Sequence, residues 1–222
     1  MDHFADRYRV VTIDLAGHGE SGLGRTAWTM PAFGADVVAV ADHMGLREMV
    51  LIGHSMGGDV IVEAALRLPG RVIGLVWVDV YRTVGENDPE GWVEEFLAPF
   101  RADFAAPTRG FVRSLLPGAD PDLVEWVAAD MSAAPPEVAI DCIRHAVGNE
   151  SAAFAAVAEI GAPVVAINPD HRPTDVEALS RHGVRTVIMP GVTHFPMLEA
   201  PEAFNRLLGE TIERFQALPA AG

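Results

Sequence analysis

The sequence has little cysteine, few basic residues and no long uncharged apolar run. Its one cysteine, Cys142, excludes an internal disulfide framework, and we expect it to be a small buried hydrophobe. Sixteen basic residues stand against 31 acidic ones, and the net charge of −15 disfavours nucleic acid or an anionic membrane surface as a partner. No uncharged run approaches the roughly 18 residues of a membrane span, and the first six residues form neither a basic leader nor an apolar core. We therefore expect a cytoplasmic protein.

Half of the 222 residues are apolar, which is enough to bury the core of one domain with an inserted lobe. Apolar runs alternate with segments of helical periodicity, and this alternation predicts a mostly parallel sheet with helices on both faces. The predicted strands are Tyr8–Ile13, Met49–Ile52, Arg71–Asp79, Pro163–Ile167 and Val184–Met189. The predicted helices are Pro31–Met44, Asp59–Leu68, a short helix capped by Thr174 with Glu177 three residues on, and Pro201–Leu218.

The alternation is interrupted between Tyr81 and Glu159, where no strand-like run occurs. Aromatic residues recur there at every fourth position, at Trp92, Phe96, Phe100 and Phe104. This spacing indicates a helical insertion in which most of the stripe packs against neighbouring helices and a minority of its residues faces a pocket. The predicted division is a core of residues 1–80 and 160–222 with a helical cap of residues 81–159.

The segment Gly53-His54-Ser55-Met56-Gly57 follows an apolar run and leads into a predicted helix. It therefore fits G-x-S-x-G on a strand-to-helix turn, where a strained backbone lifts a serine hydroxyl out of the sheet. We expect Gly53, Gly57 and Gly58 to give the turn the room that it needs. The pattern favours Ser55 as a nucleophile; the alternative is a glycine-rich turn that happens to contain a serine.

Polar residues follow the other predicted strands as well. Asp79, Asp170 and the loop after Met189 come at strand ends. The carboxyl ends of parallel strands share one edge of the sheet, so these residues and Ser55 are predicted to meet in one crevice.

Four segments together resemble the α/β-hydrolase family, in its version with a helical cap. They are Asp14–Ser21, the Ser55 turn with Gly58, the strand ending in Asp79, and Gly191–Glu199, which contains His194 about 140 residues after the turn. Their order covers nearly the whole chain. The resemblance implies a cofactor-free serine hydrolase that binds no metal and acts on a small, apolar ester or related acyl compound.

The resemblance also implies roles for particular residues. His194 would be the general base that takes the Ser55 proton, and the backbone N–H of Met56 would be an oxyanion donor. His54 would order the turn, and His18 lies in a glycine loop that shapes the entrance. A carboxylate must hold the imidazole, and we favour Asp79, with Asp170 as its rival and Asp175 a distant third. The usual acid position of the family falls near Arg172 by residue count, which is a departure from its pattern.

The resemblance further implies strands ahead of Tyr8 and a His-Gly loop with a second oxyanion donor, neither of which the sequence contains. A start placed at an internal methionine is favoured over a truncated gene product as the explanation. Losing one oxyanion donor costs roughly 2.7–4 kcal/mol of transition-state stabilisation, so the chain as it stands is expected to be weakly active, unstable, or a homodimer through a bare sheet edge.

Two other functions stay open at this point. The same triad can transfer its acyl group to hydrogen peroxide, as in a haloperoxidase or perhydrolase. A chain that has lost its oxyanion loop can also be a non-catalytic ligand-binding remnant of the fold.

Overall fold

The computed structural model describes residues 2–84, 91–147 and 150–218. Positions 85–90 and 148–149 of the predicted cap lie outside these residues, and so does Met1, on which the expectation about the start rests.

Four strands form one parallel sheet in the described part of the chain, in the order β1-β2-β3-β4. They are β1 Met49–His54, β2 Val72–Val78, β3 Val164–Pro169 and β4 Val184–Met189. The helices are α1 Asp2–Ala5, α2 Met30–His43, α3 Met56–Leu66, α4 Trp92–Ala102, α5 Ala105–Leu115, α6 Pro121–Ser132, α7 Pro136–Ala146, α8 Glu150–Ile160, α9 Val176–Arg181, α10 Pro196–Glu199 and α11 Pro201–Ala217. The predicted parallel sheet and the predicted helical stretch after β2 are confirmed.

Helices cover both faces of the sheet because the central strands are apolar on both sides. Leu75 and Trp77 of β2 pack with α2, α3 and α8 in one buried cluster. Val76 and Val78, which point to the opposite face, pack with Phe204, Leu208 and other residues of α11 in a second cluster. This alternation follows from the two-residue period of a strand.

The predicted strand Tyr8–Ile13 is wrong: within the described residues it is irregular and belongs to no sheet. A β-branched run becomes a strand only where a neighbour satisfies its backbone groups. Within the described residues, the edge strand β1 pairs with β2 and not with Tyr8–Ile13. Val10 is 37% exposed and Ile52 of β1 is 45% exposed, so both retain apolar surface that a neighbouring strand would cover.

The short helix after β3 begins differently from the prediction. Its N-cap is Asp175, whose carboxylate accepts the Ala178 N–H at 2.8 Å, and not Thr174. An N-cap oxygen satisfies a free backbone N–H two or three residues on, and Asp175 stands at that spacing from Ala178.

The helices of the predicted cap pack largely on one another. Phe96 contacts Trp92, Phe100 and Phe111, so this part of the aromatic stripe is a packed helix face, as expected. Phe154 of α8, by contrast, packs with Trp77 and Tyr81 in the cluster on the sheet. The division at residues 81 and 159 stays a prediction. No helix in the described ranges has both the length and the apolar character that crossing a bilayer requires.

Candidate active site

Ser55 and Asp79 follow neighbouring strands at the same edge of the sheet. The Ser55 N–H donates to the carbonyl of Val78 at 3.1 Å, and the Asp79 N–H donates to the carbonyl of Ile167 at 3.0 Å. The backbone hydrogen bonds of the sheet therefore continue one residue beyond β1 and β2. They fix Ser55 and Asp79 side by side at the strand ends.

Both residues have an unusual backbone conformation. Ser55 has φ 50° and Asp79 has φ 47°, and within the described residues no other non-glycine residue has positive φ. Such a conformation costs about 1–3 kcal/mol and persists only where surrounding contacts enforce it. Two adjacent strained residues at the carboxyl edge of a parallel sheet mark this edge as a functional site.

The glycines of the Ser55 turn are not equivalent. A Cβ on Gly53 would lie 2.2 Å from the Gly57 carbonyl oxygen, and a Cβ on Gly58 would lie 2.5 Å from the Val80 side chain. Both positions therefore need glycine, as predicted. The expectation for Gly57 is wrong, because a Cβ there would meet no atom within 4 Å.

His194 is held against the Asp79 carboxylate. Its Nδ1 lies 2.8 Å from Asp79 Oδ2, and the two side chains are 15% and 5% exposed. A carboxylate only accepts hydrogen bonds, so the proton is on Nδ1, and Nε2 of the neutral ring is left with a lone pair. This is the tautomer that a general base requires.

The Ser55 hydroxyl makes no hydrogen bond to His194 within the described residues. The imidazole nevertheless lies close to the turn, since its ring centroid is 4.6 Å from that of His54, the residue before Ser55. Contacts between a nucleophile and its base are often long in a free enzyme and shorten when substrate binds. Met56, on the other side of Ser55, is the first residue of α3, where backbone N–H groups lack helical partners.

Comparison with known proteins identifies the family. The family model described as the alpha/beta hydrolase family matches residues 1–207. This chain belongs to the alpha/beta hydrolase family.

Among its relatives are 3-oxoadipate enol-lactonase 2 of Acinetobacter baylyi, 25% identical over 96% of this chain and 82% of the relative, and a non-heme chloroperoxidase of Streptomyces lividans, 29% identical over 96% and 75%. The solved structure of a thermophilic esterase from Thermogutta terrifontis superposes with a TM-score of 0.80, at 21% identity over 96% of this chain and 83% of that one. The chain is thus an alpha/beta hydrolase enzyme, with an activity of the hydrolase or haloperoxidase type.

In this alpha/beta hydrolase, the His54 side chain binds the loop that contains His194; its role in ordering the Ser55 turn stays a prediction. Its Nε2 donates to the carbonyl of His194 at 2.6 Å, while the His194 N–H donates to the carbonyl of Leu115 in α5 at 3.3 Å. Burial, and then the nearby His194 ring, lower the pKa of His54 to about 4. His54 is therefore neutral at pH 7 and acts as a fixed donor to the loop.

The rival acids have other partners. Asp170 Oδ1 accepts the Gly191 N–H at 2.9 Å, which closes the turn after β4, and Asp175 caps α9. In the described ranges neither carboxylate is bonded to His194. His18 stays in its glycine loop, where its Nδ1 lies 3.1 Å from the carbonyl oxygen of Ala16. Its ring packs against Phe33 of α2.

The hydrolase site contains polar residues to which the sequence assigned no role. Arg82 forms an ion pair with Asp79 at 2.6 Å. Glu199 accepts from the N–H groups of Thr193 and Phe195 at 2.9 to 3.1 Å and from the Thr193 hydroxyl at 2.9 Å, so it fixes the loop on both sides of His194. Their signals were weak: an arginine three residues after a strand-end aspartate, and a glutamate five residues after a histidine.

A further polar pair involves the first turn of α3, where Tyr81 donates a hydrogen bond to the buried carboxylate of Asp59. A charged residue in the apolar face of α3, four positions after Ser55, was the available signal.

The part of the chain that the structure describes contains no group of three or more His, Cys, Asp or Glu side chains suited to a metal ion.

Proposed function

We propose that this alpha/beta hydrolase is a serine hydrolase that needs no cofactor and cleaves a small, apolar ester or related acyl compound through Ser55, His194 and Asp79. The observation that carries the proposal is the 2.8 Å hydrogen bond between His194 Nδ1 and Asp79 Oδ2, next to a serine in strained backbone geometry. The lactonase and esterase among its relatives support acyl chemistry.

In this mechanism Nε2 of His194 takes the Ser55 proton as Oγ attacks the acyl carbon, and the Met56 N–H stabilises the oxyanion that forms. His194 then donates the proton to the leaving alcohol. Water, activated by the same imidazole, attacks the acyl-serine, and the acid product leaves with Ser55 restored. Asp79 stabilises the imidazolium formed in each half of the reaction.

A fluorophosphonate probe tests the proposal, because it phosphonylates only an activated serine. We expect mass spectrometry to locate the adduct on Ser55, and we expect Ser55→Ala to abolish it and His194→Ala to reduce its rate of formation by about 10³-fold or more. Replacement of the exposed His43 by alanine is the matched control and leaves labelling at the parental rate. Folded protein that resists the probe would contradict the proposal.

The chloroperoxidase relative favours a second activity of the same residues. Hydrogen peroxide in place of water would attack the acyl-serine and release a peracid, which oxidises halide in solution. Comparison of ester turnover with acetate-dependent peracid formation distinguishes the two activities, and both fail in Ser55→Ala. A third outcome, tight binding of an apolar ester without turnover or labelling, identifies a ligand-binding protein instead.

A further inference from the structure

Arg82 contacts the carboxylate that orients His194. Its Nη2 lies 2.6 Å from Asp79 Oδ1, while His194 Nδ1 holds the other oxygen, Oδ2, at 2.8 Å. The Arg82 side chain is only 10% exposed and that of Asp79 5%. Each oxygen of the carboxylate therefore has a charged or hydrogen-bonding partner, and the carboxylate cannot rotate without breaking both contacts.

The other arm of the guanidinium is bound to the last residue of β3 and to the loop after it. Arg82 Nη1 donates to the carbonyls of Pro169 at 3.0 Å and Arg172 at 2.6 Å, and it lies 3.3 Å from the hydroxyl of Thr174. These residues form the region in which a rival acid was expected. The planar fork of an arginine can hold a carboxylate and backbone carbonyls at once, which an ammonium group on a flexible stem does less well.

We propose that Arg82 is a positioning residue of the catalytic triad, which fixes Asp79 as the acid by bridging its carboxylate to the loop after β3. This inference rests on the proposed function of Ser55 and His194. The hydrogen bond from the Asp79 N–H to Ile167 fixes the backbone at this position but not the carboxylate. Side-chain contacts must orient the carboxylate, and Arg82 supplies the contact that His194 does not.

The guanidinium also affects the charge of the pair. Burial raises the pKa of Asp79, but the hydrogen bond from His194 and the charges of His194 and Arg82 together hold it below its usual value. Within the described residues, the titratable and charged groups around the Asp79–His194 pair include His54 at the end of β1, Arg82 after β2, His171 and Arg172 after β3, and Glu199 in α10. Arg82 forms an ion pair with the Asp79 carboxylate, so its positive charge opposes the uptake of a further proton by the pair.

Two substitutions separate charge from geometry. Arg82→Met removes the charge and the donors, and we expect kcat for 4-nitrophenyl acetate to fall about 100-fold at unchanged KM. We also expect the acid limb of the pH profile of kcat/KM to move upward by about one pH unit, because the pair accepts a proton more readily. Arg82→Lys keeps the charge, so we expect the acid limb of the pH profile to stay within a few tenths of a pH unit of the parent. We expect kcat to fall about tenfold, because the planar guanidinium that binds the carboxylate and the backbone carbonyls at once is lost.

Arg25→Met is the matched control. Arg25 forms an ion pair with Asp36 at 2.6 Å, with side chains 24% and 32% exposed, and within the described residues it is not bonded to Ser55, Asp79 or His194. We expect this variant to lose stability while it keeps the parental kcat, KM and pH profile. A purely structural role for Arg82 would give the same pattern in Arg82→Met, a lower melting temperature with unchanged kinetics, and that result overturns the proposal.

If Arg82→Met does not fold, Arg82→Lys decides: lower kcat at unchanged KM supports the proposal, and parental kcat and KM overturn it.

Failure of the proposed function has a different signature. Turnover that survives Ser55→Ala would refute the serine mechanism whatever the Arg82 variants do, whereas loss of turnover in Ser55→Ala with parental Arg82→Met refutes the role of Arg82 alone.

Discussion

The ends of β1 and β2 carry the two strained residues of the site, and these are held in different ways. Ser55 is constrained by its immediate neighbours, since Gly53 permits the close approach of the Gly57 carbonyl and the Gly58 N–H donates to the Ser55 carbonyl at 2.8 Å. The Asp79 backbone is bonded to β3, but its carboxylate is held by side chains, one of them from His194, which is 115 residues away in the sequence. A nucleophile turn is thus a local structure, and the acid is a tertiary one.

The largest expected effect tests the tertiary side of this comparison. Asp79→Asn keeps the shape of the side chain but favours the wrong imidazole tautomer, so we expect kcat to fall about 10⁴-fold. Asp170→Asn is its matched control and remains within about tenfold of the parent, because within the described residues the Asp170 carboxylate bonds to the Gly191 N–H and not to His194. Steady-state kinetics on both variants measures this. If Asp170→Asn were the inactive one, the acid would be misassigned.

A smaller effect tests the local side. Gly53→Ala forces a methyl group to within 2.2 Å of a backbone oxygen, and we expect it to lower the free energy of unfolding by about 3 kcal/mol or more. Gly57→Ala introduces the same methyl group into open space in a helix and stays within about 1 kcal/mol of the parent. Urea denaturation of both variants measures the difference. Equal losses would show that the turn does not depend on the close approach at Gly53.

The smallest effect concerns His54. Its side chain connects the end of β1 to the loop of His194 through a hydrogen bond to the His194 carbonyl. The unfolded chain binds a proton at His54 near pH 6.5 and the folded protein only near pH 4, so folding stability falls as the pH drops through this window. From pH 7 to pH 5 we expect this residue to cost about 2 kcal/mol of unfolding free energy. His54→Gln keeps a donor for the carbonyl but does not titrate, so it should lose that much less than the parent.

Denaturant unfolding at pH 7 and pH 5 measures this difference. The contributions of the acidic groups to the pH dependence are common to both proteins and cancel in the comparison. His43→Gln, at an exposed position, is the control and retains the parental dependence on pH. A His54→Gln variant that loses as much stability as the parent would mean that His54 is not kept neutral by the fold.

The pattern of apolar residues predicted most elements because strand and helix periods are local properties. β4 begins at Val184 and ends at Met189, as expected, and α11 ends one residue before the predicted Leu218. Tyr8–Ile13 shows the limit of this reasoning: its residues favour a strand as strongly as those of β4, yet it has no partner in the described sheet. Strand formation depends on a neighbour, which the residues of the strand do not specify.

The sequence by itself determined the order of strands and helices, the Ser55 turn and the histidine that follows the last strand, because glycine spacing and hydrophobic periodicity act over a few residues. Only the tertiary structure decided which aspartate meets His194, that Arg82 holds the other oxygen of that aspartate, and that His54 binds the histidine loop. Each of these contacts joins the ends of different strands, and their distances depend on how the sheet brings those ends together.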